Sequence, residues 1–336
     1  MKKLIFLFFF FVGWCSFAQK IEITTLLKDP ISIRAIQIWD GKVWYTGTDS
    51  KFGFVSIKDS LDKKQWRLSN QKLQFRTLAQ NKKHFFTINI ESPAYFFRID
   101  KKTFQSEIIF KDTLKTAFYD ALHFRKDQSA IAFSDPHGSC GHLYTTADSG
   151  TSWQKLACND FPPFHEGEAA FAASNTNIAS QRKTTWIASG GKKSRIFRLY
   201  KGKWKAFETP FIQGNSSQGI YSIDFYDEKF GIAVGGDYTR QKENIHNIAT
   251  TRNGGKTWQI QASGKNSGYK TCVKFRPQSQ GKDIISVGDQ DISFSQDYGK
   301  TWKIISEEKN LYTCEWIDAN NLILAGKNRV IKIVFK

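Results

Sequence analysis

The sequence lacks the motifs by which many proteins hold a cofactor or carry a nucleophile. It has no phosphate-binding loop, no glycine fingerprint for a dinucleotide and no segment that resembles a nucleophile elbow. Beyond its first residues it also has no apolar run long enough to cross a bilayer. We therefore expect no cofactor, and no transmembrane segment once the first residues have been removed.

Cysteine is scarce, and its spacing excludes two common uses. Four of the five cysteines follow the N-terminal segment, and they form neither a Cys-x-x-Cys pair nor a closed zinc pattern. His137 lies near Cys140, but the spacing of this group is not that of a metal site, and we predict no metal. An even number of cysteines in an oxidising compartment favours disulfides. We predict the pairs Cys140 with Cys158 and Cys272 with Cys314.

The N-terminus has the pattern of an export signal. A positively charged start precedes an apolar run over 4–12, and a small residue, Ala18, lies at a suitable cleavage position. We predict a signal peptide at 1–18 and a single domain at 19–336. The protein is then exported, either to the periplasm or out of the cell.

Acidic residues are few compared with basic ones. The chain has 49 Lys and Arg against 31 Asp and Glu, and removal of 1–18 lowers the net charge from +18 to +16. Such a surface favours anionic partners, among them acidic glycans and lipid head groups, although it is also what a solvated basic face looks like. We expect no nucleic-acid partner for an exported protein.

One eight-residue pattern occurs three times between residues 146 and 302. An Asp or Asn side chain can accept backbone N–H groups of a tight turn, a Gly can take the positive φ angle, and a Trp can bury its ring against the next sheet. These residues therefore predict corners between strands and not a catalytic group. The corner residues are Asp148, Gly150 and Trp153, then Asn253, Gly255 and Trp258, then Asp297, Gly299 and Trp302.

The pattern resembles the Asp-box, or bacterial neuraminidase repeat, whose motif is Ser/Thr-x-Asp-x-Gly-x-Thr-Trp. Segments 231–236 and 251–258 are also similar to blades of the photosystem II assembly and stability factor family. The resemblance implies a β-propeller, and its second branch implies a protein that holds partners and does not turn over substrates. We expect a monomeric binding or assembly module for an envelope protein or an acidic glycan.

Alternating strands surround each corner, as in four-stranded antiparallel blades. The repeats start near residues 31, 73, 117, 167, 218, 268 and 311, which predicts an all-β propeller of seven four-stranded blades. The last repeat lacks an outer strand. We expect the segment 21–27 to supply it, so that the N- and C-terminal strands close the ring.

Propeller geometry places loops between strand pairs and loops between blades on one rim. This rim is the predicted site, because convergent polar groups in a cleft mark binding sites. Each member also has a plainer explanation as a turn former or a surface charge. The rim residues are Asp135, His137, Glu166, Glu168, Asp237, Tyr238, Arg240 and Tyr269, with Lys270, Asp289 and Asp291 from later loops.

A carbohydrate-active hydrolase is the alternative. Glycosidases use two carboxyl groups about 5–10 Å apart, and Glu168 with Asp135 or Asp237 could supply them. Sialidases of the Asp-box family also need an arginine trio and an early Arg-Ile-Pro motif. The nearest match, at 98–100, lacks the Pro.

Overall fold

The computed structural model describes residues 20–336, so the predicted signal peptide at 1–18 lies outside the described residues. Apart from one 3-10 turn at Cys158–Asp160, the regular structure of 20–336 consists of strands. In chain order these are β1 (Ile21–Trp39), β2 (Lys42–Gly47), β3 (Lys51–Ser56), β4 (Lys63–Arg67), β5 (Ala79–Gln80), β6 (His84–Ile88), β7 (Ala94–Asp100), β8 (Ser106–Asp112), β9 (Tyr119–Lys126), β10 (Ser129–His137), β11 (Cys140–Thr146), β12 (Gln154–Lys155), β13 (Glu168–Ala169), β14 (Ile178–Gln181), β15 (Thr184–Ala188), β16 (Gly190–Gly191), β17 (Arg195–Tyr200), β18 (Lys203–Glu208), β19 (Gln218–Phe225), β20 (Gly231–Asp237), β21 (Ile248–Thr251), β22 (Gln259–Ile260), β23 (Cys272–Phe275), β24 (Ile284–Val287), β25 (Ile292–Ser295), β26 (Lys303–Ser306), β27 (Leu311–Trp316) and β28 (Asn321–Phe335).

These strands form a ring of six antiparallel sheets. Sheet 1 has the order β27-β28-β1-β2-β3-β4, and sheets 2, 3 and 4 are β5 to β8, β9 to β12 and β14-β15-β17-β18. Sheet 5 is β19 to β22, extended at its inner edge by the short strands β16 and β13, and sheet 6 is β23 to β26. The all-β propeller predicted from the repeats is present.

The number of blades was predicted wrongly. The expectation was seven four-stranded blades, whereas the strands form six hydrogen-bonded sheets, four of four strands and two of six. The difference arises because β1 is continuous: its residues 21–28 pair with β28, and its later residues pair with β2. The C-terminal strands and the first strands therefore belong to a single sheet. The pairing of the chain ends is present, with Ile21 opposite Phe335.

Burial changes in the radial direction within each sheet, as the sequence patterns require. Every residue of the middle strands β15, β20 and β24 is buried, whereas no residue of the outer strands β4, β18 and β26 is buried and each of these begins with a lysine. The apolar core is divided into clusters that lie between neighbouring sheets. An example is the cluster around Trp44 and Phe85, which joins sheets 1 and 2. Burial of such side chains, at about 25 cal/mol per Å² of apolar surface, holds the ring together.

A loop fills the middle of the ring. This plug, residues 170–177, connects β13 to β14 and is held by the inner strands. Asn175 donates from Nδ2 to the Leu78 carbonyl at 2.9 Å and accepts the Leu122 N–H at 2.8 Å, while Ser174 donates to a carbonyl just before β23 at 2.6 Å. The plug separates two cavities, because its first half lines one and its second half lines the other.

One of the two predicted disulfides is formed. Cys140, at the start of β11, is bonded to Cys158. The second prediction is wrong for this structure: Cys272 and Cys314 are free and buried on inner strands of neighbouring sheets, with their sulfurs 3.6 Å apart. A disulfide needs a separation of about 2.05 Å, so the two strands bring the thiols into contact without joining them.

Candidate binding pocket at the channel mouth

A pocket of about 460 Å³ lies at one end of the channel, above the first half of the plug. Its walls come from the mouth-side ends of inner strands and from the loops that follow β20 and β24. We call it the mouth pocket. Its polar and aromatic side chains are Arg34, Arg76, Phe118, Asp135, Phe171, Ser216, Tyr221, Tyr238, Gln241, Tyr269 and Asp289.

Two arginines give the pocket positive charge. Arg34 on β1 donates to the Ala173 carbonyl of the plug at 3.1 Å, and its guanidinium lies 4.0 Å from the ring centre of Tyr312. Arg76 precedes β5, and burial together with the charge of Arg34 lowers its pKa. Within residues 20–336, neither arginine has a carboxylate oxygen within 4.0 Å. Neither guanidinium therefore forms a direct ion pair with a described residue, although carboxyl groups act on both from a longer distance, and both can still donate to an incoming anion.

Carboxyl groups lie next to these arginines. Burial raises the pKa of Asp135 to about 6, although its Oδ1 accepts the N–H of Ala170 at 2.9 Å. Behind it Asp120 is fully buried, and its hydrogen-bonding neighbour is the carboxyl group of Asp135. Burial, and then the charge of Asp135, raises the pKa of Asp120 well above its ordinary value, against the opposing effect of Arg76. The two carboxyl groups therefore hold a proton near neutral pH.

A third carboxyl group completes the charged wall. Oδ2 of Asp289 accepts a hydrogen bond from Gln241 Nε2 at 2.9 Å, and its Oδ1 has no donor among the described residues. Burial raises the pKa of Asp289, and the charge of Arg34 opposes this. The pocket thus offers fixed cations beside carboxyl groups that protonate easily.

Aromatic rings form the remaining wall. Phe171 of the plug stacks on Tyr221 with ring centres 3.8 Å apart, and Tyr269 meets Tyr221 edge-on at 4.8 Å. The Tyr221 hydroxyl donates to the Ser217 carbonyl at 2.8 Å. Tyr238, half exposed, stands at the entrance. Rigid rings that already stack on one another offer a preformed surface for a flat or apolar part of a ligand.

The pocket brings together some of the residues that the sequence predicted. Asp135, Tyr238 and Tyr269 all line it, and so does Asp289. They come from sheets 3, 5 and 6 and from the loops between them, as the shared rim requires.

Two predicted carboxylates lie elsewhere, buried against their own partners. Glu168 accepts from Arg195 at 3.0 Å and 2.6 Å, and also from Ser189, and its side chain has no exposed surface. Burial alone would raise the pKa of Asp237, but hydrogen bonds led by those from Thr239 lower it to about 2. Both groups are already satisfied within the protein and do not line the pocket.

Of the other predicted rim residues, three are exposed and two form a buried pair. His137 is exposed, with its Nδ1 3.1 Å from Thr116 Oγ1. Glu166 is 96% exposed and lies 3.6 Å from Lys192, while Arg240 forms ion pairs with Asp237 and Glu243. Lys270 and Asp291 form a buried pair at 2.9 Å. None of these residues contributes to the pocket.

The repeated corners lie far from the pocket, between the third and fourth strands of sheets 3, 5 and 6. Asp148 accepts the Ser152 N–H at 3.0 Å and its hydroxyl at 2.7 Å, and these bonds lower its pKa to about 2. The three corner glycines have φ of +83°, +82° and +83°. Asn253 and Asp297 accept equivalent bonds, and the indole N–H of Trp258 and of Trp302 donates to its corner glycine.

Sequence reasoning missed Arg34, Arg76, Asp120 and Tyr221. A signal was present, because each of them is the fourth residue of a repeat when the repeats start at 31, 73, 117 and 218. In three of these four repeats the fourth residue lines the mouth pocket. Comparing one position across repeats would have found the arginines.

Two absences were tested within residues 20–336. In that part of the chain no group of three or more His, Cys, Asp or Glu side chains is arranged to hold a metal ion. The same residues include no helix long and apolar enough to span a membrane.

The fold is that of a β-propeller, and solved propellers superpose on most of the chain. A structure of YCF48 bound to D1 peptide gives a TM-score of 0.65 at 13% identity, covering 94% of this chain and 97% of that chain. YCF48 from Cyanidioschyzon merolae gives 0.63 at 14% identity, covering 93% and 98%. The WD40 repeats of RRP9 give 0.66 at 12% identity, covering 94% and 100%.

These likenesses show the fold alone. No family model matches the sequence. No curated protein matches it either. The resemblance to the photosystem II assembly factor branch is therefore supported in architecture, and membership of the Asp-box family is not shown.

Proposed function

We propose that this chain is an exported, non-enzymatic propeller that binds an acidic segment of an envelope protein, or an acidic glycan, in the mouth pocket. The observation that carries the proposal is the pair Arg34 and Arg76, which line the pocket and form no direct ion pair with a described carboxylate. Arginine forks bind carboxylate, sulfate and phosphate groups through paired hydrogen bonds. The tyrosines beside them offer contact surface for the rest of the ligand.

The neighbours in fold support a binding role. One of the superposing propellers, YCF48, was solved with a D1 peptide bound, so a propeller of this architecture can hold a peptide. Here the plug closes the channel beneath the pocket, and a ligand would therefore rest on the mouth and not thread through it. Binding and assembly fit this arrangement better than turnover does.

The test is a titration with two acidic probes, an Asp- and Glu-rich peptide and oligogalacturonate, followed by calorimetry. In Arg34→Gln/Arg76→Gln we expect the Kd to rise about 100-fold, since a hydrogen bond to a charged group contributes about 1.5–3 kcal/mol. Whichever probe binds identifies the class of ligand.

The control is Arg67→Gln/Arg252→Gln, which removes the same charge from exposed positions outside the pocket. It should bind as the unaltered protein does. An equal loss of affinity in both variants would show that the effect depends only on net charge. If the unaltered protein bound neither probe, the proposed site would be refuted.

A hydrolase remains the second candidate because two carboxyl groups with raised pKa values, Asp135 and Asp289, line one pocket. An acid with a pKa near 6 is suited to proton donation at neutral pH. The sequence paired Glu168 with Asp135 or Asp237, but Glu168 and Asp237 do not serve this purpose, because each is buried in its own ion pair.

A panel of aryl glycosides, with and without Asp135→Asn, tests the hydrolase. Turnover by the unaltered protein that falls at least 100-fold in Asp135→Asn would establish it. The absence of turnover in both, together with retained binding of an acidic probe, leaves the binding function alone.

A further inference from the structure

The face opposite the mouth pocket carries a concentration of cations. In antiparallel sheets, the turns that follow the first and third strands all lie at this end. On three adjacent sheets those turns are basic. We call the following residues the basic turn patch: Lys82 between β5 and β6, Lys126 at the end of β9, Arg182 and Lys183 between β14 and β15, and Lys201 between β17 and β18.

The patch is not neutralised by the protein. All five side chains are exposed, and none forms an ion pair with the residues of 20–336. Four of them, with Arg125, surround a shallow cleft of about 310 Å³ between sheets 3 and 4 that has no carboxylate in its lining. The buried Nε of Arg125 lacks an acceptor in this part of the chain. Asp127 lies beside the patch, and its carboxylate accepts the N–H of Lys82 at 2.7 Å.

Exposed apolar side chains lie on the same face. Leu61, in the turn between β3 and β4, is 83% exposed, and Tyr200, beside Lys201 at the end of β17, is 40% exposed. This end of the domain thus combines an exposed leucine, an exposed tyrosine and several cations. Side chains of these types bind at the boundary between lipid head groups and acyl chains.

We propose that the basic turn patch docks the propeller on an anionic phospholipid bilayer. The cations come from separate turn tips on three sheets, so they spread over a broad end of the ring and match a flat surface better than one compact ligand. The cleft above Arg125 can accept a single phosphate head group. Docked in this way, the protein holds the mouth pocket away from the bilayer and open to its own ligand.

The experiment measures co-sedimentation with vesicles of phosphatidylcholine alone and of phosphatidylcholine with phosphatidylglycerol. Since the apolar run at 4–12 would itself enter a bilayer, the protein begins at residue 19 and keeps every strand. We expect binding only to the vesicles that contain phosphatidylglycerol, and weaker binding in high salt because salt screens exposed charges.

The test variant is Arg182→Gln/Lys183→Gln/Lys201→Gln. Each cation near an anionic leaflet strengthens binding by about fivefold, so the triple change should weaken it roughly 100-fold. The matched control is Lys115→Gln/Lys242→Gln/Lys265→Gln, which removes three exposed lysines from loops on the mouth face. The control should retain most of the binding, and the urea unfolding midpoint of both variants should equal that of the parent.

Three results would overturn the proposal. The first is equal binding to neutral vesicles, and the second is equal weakening by the two variants. The third is capture of dextran sulfate in solution with no binding to any vesicle, which would identify a soluble polyanion as the partner. None of these results bears on the mouth pocket, so the proposed function stands or falls separately.

Discussion

At the scale of single residues, the mouth pocket depends on charges whose partners are incomplete. Arg34 and Arg76 form no direct ion pair within 20–336, and Oδ1 of Asp289 lacks a donor in the same region. An unpaired polar group that is buried costs free energy. Such groups persist where something other than stability maintains them, and a ligand that brings its own charge is the simplest explanation in a pocket.

The carboxyl group of Asp135 predicts a pH effect on stability. Its pKa is about 6 in the folded protein, against about 3.9 in an unfolded chain. As pH rises from about 4 to about 6, the unfolded chain releases this proton first, so the contribution to the free energy of unfolding falls by about 1–3 kcal/mol. Asp135→Asn should remove that part of the slope in urea titrations between pH 4 and 7. Asp160→Asn, at an exposed position, should not, and identical slopes for all three proteins would contradict the assigned pKa.

At the scale of elements, turns and the plug are fixed by side-chain bonds to the backbone. Each repeated corner uses one Asp or Asn to hold the N–H groups that follow it, and the plug uses Asn175 in the same way across the channel. Side chains of this kind order loops that have no ladder of their own. The pocket floor is therefore as well defined as the strands around it.

The first corner supplies a test of the turn bonds. Asp148→Ala removes the hydrogen bonds that this carboxylate accepts from Thr146 and Ser152, and it should lower the free energy of unfolding by about 1 kcal/mol. Because the pKa of Asp148 is lowered to about 2, its stabilising effect is complete above about pH 4 and is lost as pH falls towards 2. Urea unfolding at pH 7 and at pH 3 measures both effects. Asp160→Ala changes a nearby exposed carboxylate and serves as the control. An equal loss of stability in this variant would show that Asp148 does not stabilise the turn specifically.

The plug gives a second test at this scale. Asn175 has a φ of +59° and forms three hydrogen bonds with the inner strands. Asn175→Ala loses those bonds and strains the backbone, so we expect a loss of about 2–4 kcal/mol. Asn175→Gly loses the same bonds but tolerates the φ angle, and it should recover about 1 kcal/mol of that loss. Urea unfolding compares the two variants, and an unchanged midpoint in Asn175→Ala would show that the plug is not anchored there.

At the scale of the whole molecule, the ring is closed by strands from opposite ends of the chain. β1 pairs with β28, and the buried alternate residues of β28 join the core that sheet 1 shares with sheet 6. Contacts so distant in sequence are costly to form during folding. They are also the ones on which the geometry of the channel depends.

Closure of the ring predicts that one buried residue near the C-terminus contributes more to stability than the residue next to it. Ile333 is fully buried in the closing core, so Ile333→Ala should cost about 2–5 kcal/mol through the cavity it leaves. Lys332→Ala, at the adjacent partly exposed position, should change stability by less than about 0.5 kcal/mol. Thermal and urea unfolding measure both variants. A similar loss of stability in the two variants would mean that packing of the terminal strands does not stabilise the closed ring.

The sequence by itself determined the class of fold and the corners. The features that predicted them are local: period-2 alternation, glycines at positive φ and the spacing from Asp148 to Trp153. Local features depend on neighbouring residues and can be recognised in a sequence. It also placed Asp135, Tyr238 and Tyr269 on one rim, because antiparallel topology alone decides which loops share an end.

Tertiary structure decided the rest. Only the register of β1 against both β28 and β2 made six sheets where seven blades were predicted. Only packing showed that Glu168 is paired with Arg195 while Arg34 and Arg76 face the pocket. The physical reason is that burial and charge pairing arise between residues far apart in the chain, and no local pattern states which side chains will meet.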